Sequence, residues 1–165
     1  MTYASSAGSF SAINLPTLGG DLVWKVHHDP TSFSLEVLAD LDGDGVRNST
    51  DCRPSDPTVW AVPAEVGDMG FAANGQTITL TSLAAQAGPA TIYDVMRGRV
   101  SELPVGGGAS ETCVASGVTG TQVPDATTPA LGTAIYYLAR GTNVCGVGTW
   151  GSTSGGTQRV TLACP

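Results

Sequence analysis

Four aspartates fall within one short stretch, Asp40-Leu41-Asp42-Gly43-Asp44-Gly45-Val46-Arg47-Asn48-Ser49-Thr50-Asp51, and this crowding limits what the segment can become. Like charges held close together repel, so the stretch folds either as a well-solvated turn or around a cation. Calcium takes about six to eight hard oxygen ligands on a sharply bent loop with a fixed order of donors. Asp40, Asp42 and Asp44 supply carboxylates at the first, third and fifth places, and Gly45 permits the tight turn at the sixth. The carbonyl of Val46 suits the seventh place, Asn48 the ninth (directly or through water), and Asp51 closes the shell at the twelfth. A solvated acidic turn built on Asp-Gly is the plainer alternative. The completeness of the template favours Ca2+. Asp56, just beyond, either joins the ion or caps the turn that follows it.

On either side of the loop the chain reads as all-β. Residues Leu22 to His28 and Phe33 to Val37 alternate apolar and polar, with Leu22, Trp24 and Val26 on one face and Phe33, Leu35 and Val37 on the other strand's matching face. Asp29-Pro30-Thr31-Ser32 between them has turn chemistry, which predicts a β-hairpin. Ser9 to Leu15 is a candidate third strand. A lone hairpin is marginal in water, so this segment is expected to pack on the domain that follows, to complete a sheet or solenoid of a longer chain, or to pair with another subunit. Farther on, strands are predicted at 69–71, 77–82, 91–97, 118–123, 134–140 and 158–163, with turns at Ala73-Asn74-Gly75, Ala87-Gly88-Pro89, Gly106-Gly107-Gly108 and Ser154-Gly155-Gly156. No helix is expected, because apolar residues do not recur at helical spacing. The boundaries implied are 1–39 for the hairpin segment, 40–64 for a metal-fixed linker, and 65–165 for a sandwich of short strands of immunoglobulin-like outline.

Composition narrows the setting. A net charge of −7 with a single lysine, Lys25, argues against nucleic acid. No apolar run approaches the roughly 20 residues that span a bilayer. The first residues lack the charged and apolar regions of a signal peptide, so the chain reads as a piece of a longer exported parent. Cys52, Cys113, Cys145 and Cys164 have neither C-x-x-C spacing nor a histidine at zinc-ligand distance. An even count in a turn-rich β chain then reads as two disulfides formed in an oxidising, extracellular compartment, with buried free thiols as the alternative.

Catalysis is not expected. His27 and His28 would point to opposite faces of a strand. No Gly-x-Ser-x-Gly elbow or phosphate-binding loop occurs, and nothing pairs Glu65, Glu102 or Glu111 as acid and base. Trp24, Trp60 and Trp150 suit core or edge packing better than a sugar platform.

Asp40–Cys52 resembles the thrombospondin type 3 repeat and, through Asn48-Ser49-Thr50-Asp51, is similar to the dockerin loop. Its continuation, Asp51-Cys52-Arg53-Pro54-Ser55-Asp56-Pro57-Thr58-Val59-Trp60, resembles a motif of bacterial extracellular proteins. Only one loop is present, whereas thrombospondin and dockerin modules use several or paired loops. The remainder is similar to the fibronectin type III-like domains of bacterial secreted proteins, through Val62-Pro63-Ala64-Glu65-Val66, Gln76 to Leu80, Ile92 to Arg97 and Ile135 to Asn143. Leu80 stands where that family often has tryptophan. The resemblance implies a Cys113–Cys145 bridge at one pole and, with it, a Cys52–Cys164 bridge. It also implies a calcium-stabilised structural or assembly module of a surface protein or filament, whose partners are calcium, copies of itself or other extracellular proteins. The alternatives are a carbohydrate- or surface-binding module using Trp150, and an accessory domain of a secreted hydrolase.

Overall fold

The computed structural model describes residues 12–165. These form two compact units that divide between Trp60 and Ala61. In the first, β1 (Leu22–Asp29) and β2 (Ser32–Ala39) form the expected antiparallel hairpin. Trp24 lies opposite Val37, Val26 opposite Leu35, and His28 opposite Phe33. The Ser32 hydroxyl donates to Asp29 Oδ2 at 3.1 Å across the turn. Because the side-chain period is two, Leu22, Trp24, Val26, Phe33, Leu35 and Val37 share one face, while Lys25, His27, Ser34 and Glu36 lie on the other together with the facing pair Val23 and Leu38, of which Leu38 is buried. On the apolar face Leu22, Leu35 and Val37 each remain 41% exposed. The Trp24 indole N–H donates to the Pro16 carbonyl at 2.7 Å. Of the candidate third strand, 12–15 is not in a strand, and Ser9, Phe10 and Ser11 lie outside the described residues.

The second unit is built from two antiparallel sheets. One orders β3 (Met69–Phe71), β4 (Thr77–Leu80) and β7 (Gln122–Pro124). The other orders β6 (Thr112–Val118), β5 (Ile92–Arg99), β8 (Ile135–Asn143) and β9 (Gly146–Val147). Ile78, Leu80 and Val123 from the first sheet share a core with Tyr93, Val95 and Ala139 from the second. Leu83 joins them, and its backbone N–H donates to the Tyr93 hydroxyl at 2.7 Å. On the far face of β5, Met96 packs with Trp150 and Cys164 in a second cluster. Each large apolar side chain buried in these clusters is worth about 1.5–3 kcal/mol, so β5, covered on both sides, is the strand that the unit is organised around.

Polar groups close both ends of this arrangement. Asp94 on β5 is buried and accepts from the Ser116 hydroxyl, the Gly117 N–H and Arg140 Nε at 2.8–2.9 Å. The Arg140 guanidinium lies 4.6 Å from the Trp150 ring centroid and also donates to the Cys164 carbonyl. Asp125, just past β7, accepts from Arg97 on β5 and Tyr137 on β8. Burial opposes ionisation of Asp125, but its bonds from Thr127, Arg97 and Tyr137 prevail and hold its pKa down to about 2.

Three expectations need correction. The run at 118–123 is not one strand: β6 ends at Val118 and β7 begins at Gln122, with a turn between them, while β6 itself starts earlier, at Thr112. The run at 158–163 forms no strand. Its chain makes a single bridge, Ser152 to Gln158, and is then held by side chains, notably the Thr161 hydroxyl donating to Glu111 Oε2. A four-residue helix, α1 (Ala84–Ala87), also occurs where none was expected.

The disulfide pairing differs as well. Cys113 is bonded to Cys164, not to Cys145, and Cys164 is therefore not the partner of Cys52. Register explains this. Cys113 lies opposite Met96, toward the C-terminal end of β5, whereas Cys145 follows β8 beyond Thr142, which lies opposite Ile92 at the other end of β5. The two are at opposite ends of the sheet with β5 between them. All four cysteines are disulfide-bonded, and none is free. Closing a loop with a sequence separation of 51 restricts the unfolded chain by about 4 kcal/mol. Peptide mapping without reductant is therefore expected to recover Cys113 joined to Cys164, and a Cys113→Ser/Cys164→Ser double variant should lose several kcal/mol in denaturant titration. A Cys113–Cys145 peptide would contradict this register.

Candidate metal centre

The acidic loop leaves β2 directly and belongs to the same compact unit as the hairpin. Its backbone folds tightly because the early aspartates accept from N–H groups a few residues ahead, Asp40 through both oxygens and Asp42 and Asp44 through one each, the turn habit of Asp. Asp40 Oδ1 accepts from Gly43 N–H at 2.8 Å, and its Oδ2 from Gly45 N–H at 2.9 Å. Asp42 Oδ1 accepts from Asp44 N–H and Asp44 Oδ1 from Val46 N–H. Gly43 and Gly45 sit at φ +80° and +90°, where a β-carbon costs roughly 1–2 kcal/mol.

These turns aim the remaining oxygens inward. Ligand atoms of Asp40, Asp42 and Asp44 lie within 4.8 Å of one another. Among the described residues this is the set of three or more metal-ligating side chains that converges. Asp42 Oδ2, Asp44 Oδ2 and Asp51 Oδ2 are buried atoms with no hydrogen-bond partner. Asp51 is only 8% exposed, and its other oxygen accepts from Arg53 N–H at 2.6 Å. A buried carboxylate oxygen without a donor carries a substantial desolvation cost, and three such oxygens in one loop fit a bound cation. Burial raises the pKa of Asp44, the Val46 N–H opposes it, and the charges of Asp42, Asp51 and Asp40 add to the rise. Asp51 adds its charge to that rise, but the ligand atoms that converge are those of Asp40, Asp42 and Asp44.

Val46 and Asn48 hold their expected places in the chain but with distinct roles. The Val46 N–H secures Asp44. The Asn48 carboxamide spans the base of the loop, accepting from Leu41 N–H and donating to Asp21 Oδ2, each at 2.9 Å. Asp56 caps the turn that follows it, its Oδ1 accepting from both the backbone N–H and the hydroxyl of Thr58. Those Thr58 bonds lower its pKa.

Sequence reasoning missed Asp21 and Lys25. The Asp21 carbonyl accepts from Asp40 N–H at 2.7 Å, and Lys25 Nζ donates to the Gly45 carbonyl at 2.9 Å. Arg47 pairs with Glu36, which also meets His27 Nε2 at 3.2 Å. The polar residues of β1 and β2 offered a signal: they alternate onto one face, and the loop returns to that face. His28 turns away to meet the Phe33 ring edge-on. Trp150 is 5% exposed beneath Arg140, so it offers no surface platform for a sugar.

No family model, curated protein or solved structure matches the chain. No helix among the described residues is long and apolar enough to cross a membrane.

Because Gly45 has positive φ but open space around its α-carbon, Gly45→Ala tests the backbone alone. It should loosen the loop by about 1–2 kcal/mol, seen as faster hydrogen exchange at the Gly45 and Asn48 amides. Gly67→Ala, at a glycine with open space and no positive φ, should leave both rates unchanged. Equal rates in the wild type and Gly45→Ala would refute the turn geometry.

Proposed function

We propose that the chain is an extracellular structural or assembly module, in which a calcium ion locks an acidic loop onto a β-hairpin and a fibronectin type III-like sandwich follows. The observation that carries this reading is the set of buried, unpartnered oxygens on Asp42, Asp44 and Asp51 beside Asp40. A chain that folds such oxygens together requires a counter-charge, and hard carboxylate oxygens on a flexible loop suit Ca2+ better than Mg2+, which demands near-ideal octahedral geometry and keeps its waters. Asp40, Asp42, Asp44 and Asp51 would hold the ion, with the Val46 carbonyl completing the side that the carboxylates leave open. The ion would neutralise the cluster.

The sandwich assignment is supported by strand order. Three short strands in the order β3-β4-β7 and four in the order β6-β5-β8-β9 match the pattern in which consecutive strands divide between two packed antiparallel sheets. Complete cysteine oxidation supports an extracellular setting. A structural role rather than catalysis agrees with the use of the charged residues: Arg97 and Asp125, Arg140 and Asp94, and Glu111 and Thr161 fasten segments to one another.

Calorimetry on the full chain should detect calcium binding, and chelation should lower the melting temperature. An ion bound only by the folded form adds about 2.7 kcal/mol at a free concentration 100 times its Kd. Asp42→Ala and Asp44→Ala should each abolish both effects, while Asp56→Ala should keep the binding heat. A wild-type chain with no calcium heat and no chelator-dependent melting would overturn the reading.

A further inference from the structure

We propose that the metal site extends beyond its acidic loop to Asp21 and Lys25 of the hairpin, so that calcium affinity depends on the hairpin and calcium in turn orders β1 and β2. The proposal rests on the calcium reading above and concerns residues outside the loop motif. Asp21 immediately precedes β1, and it holds the loop at two of its places. Its carbonyl accepts from the N–H of Asp40, the first-place carboxylate, and its carboxylate accepts from Asn48 at the ninth. Asn48 is itself fixed by its backbone N–H donating to the Ala39 carbonyl at the end of β2, the residue paired with Leu22 at the start of β1. At the opposite side of the loop, the Lys25 ammonium is bonded to the Gly45 carbonyl, and Arg47 pairs with Glu36 of β2.

The loop is thus tied to both strands at its start, its bend and its exit. Groups that orient metal ligands without touching the metal commonly change affinity by about 10–100-fold when removed. Asp21 is exposed and one layer outside the converging oxygens, so its side chain acts on affinity through Asn48, while its backbone carbonyl holds Asp40. Binding linkage is reciprocal: if an intact hairpin strengthens calcium binding, calcium must stabilise the hairpin by the same factor. A two-stranded sheet is marginal alone, and its apolar face is two-fifths exposed at Leu22, Leu35 and Val37. Cation binding therefore controls whether that face is presented on an ordered surface.

The test uses the full chain, with calcium affinity read by calorimetry and strand order by hydrogen exchange with and without calcium. Asp21→Ala should weaken calcium binding about tenfold or more, whereas Asp21→Asn, which keeps an acceptor for Asn48, should retain most of the affinity. Lys25→Met should weaken it as well. In the wild type, calcium at 100 times its Kd should raise protection of the β1 and β2 amides by up to about 100-fold. Amides of β5 and β8 should not change, and they also report that each variant is folded. Wild-type calcium binding combined with an unchanged Kd in Asp21→Ala, or with equal hairpin protection in the two states, overturns the coupling while leaving the calcium reading intact. A wild type that binds no calcium overturns both.

Discussion

Mutual repulsion among carboxylates is the constraint around which the first unit is arranged. Two unit charges about 5 Å apart in surroundings of effective dielectric near 20 repel by roughly 3 kcal/mol, and Asp40, Asp42 and Asp44 approach at least that closely. Backbone N–H groups offset part of this by donating to both oxygens of Asp40 and to one oxygen each of Asp42 and Asp44. They cannot satisfy the oxygens that turn inward. In the proposed reading a cation supplies the missing counter-charge, and the tight turns at Gly43 and Gly45 are the backbone geometry that brings the carboxylates together.

The polar ties to β1 and β2 follow from the same constraint. A loop that concentrates negative charge draws the positive groups of the neighbouring hairpin toward it. Lys25 bonds directly to the loop backbone, and Arg47 reaches from the loop to Glu36. The second unit solves a different problem. There the hydrophobic clusters on the two faces of β5 supply the drive to fold, and partly buried ion pairs fasten the strands to their neighbours. The Asp94–Arg140 pair joins β5 to β8 and reaches the chain terminus through the Cys164 carbonyl.

Local patterns were readable from the sequence wherever the cause was local. The hairpin followed from alternation and an Asp-Pro turn, β3 from its apolar triplet before Asn74-Gly75, and the acidic loop from donor spacing. What failed depended on partners far along the chain. Thr112 to Val118 contains Ser116 and Gly117, a poor strand by composition, yet Gly117 and Ser116 are where Asp94 of β5 finds its donors. Val160 and Leu162 alternate like strand residues but lie 68% and 90% exposed, because bonds through Thr161 and the Cys113 bridge hold that segment instead of a sheet ladder. The cysteine pairing turned on register between β5, β6 and β8, which no local signal encodes. Asp21 escaped notice because an exposed aspartate before a strand carries no motif; its role is visible only once Asn48 is placed beside it.

The most direct test of the central claim is an anomalous-difference map from crystals of the full chain grown with calcium, with data collected at a wavelength where calcium scatters anomalously. The account predicts a single strong peak within coordination distance of Asp40, Asp42, Asp44 and Asp51, with Asp56 still bonded to Thr58. A loop of the same conformation with no peak among those carboxylates would contradict it.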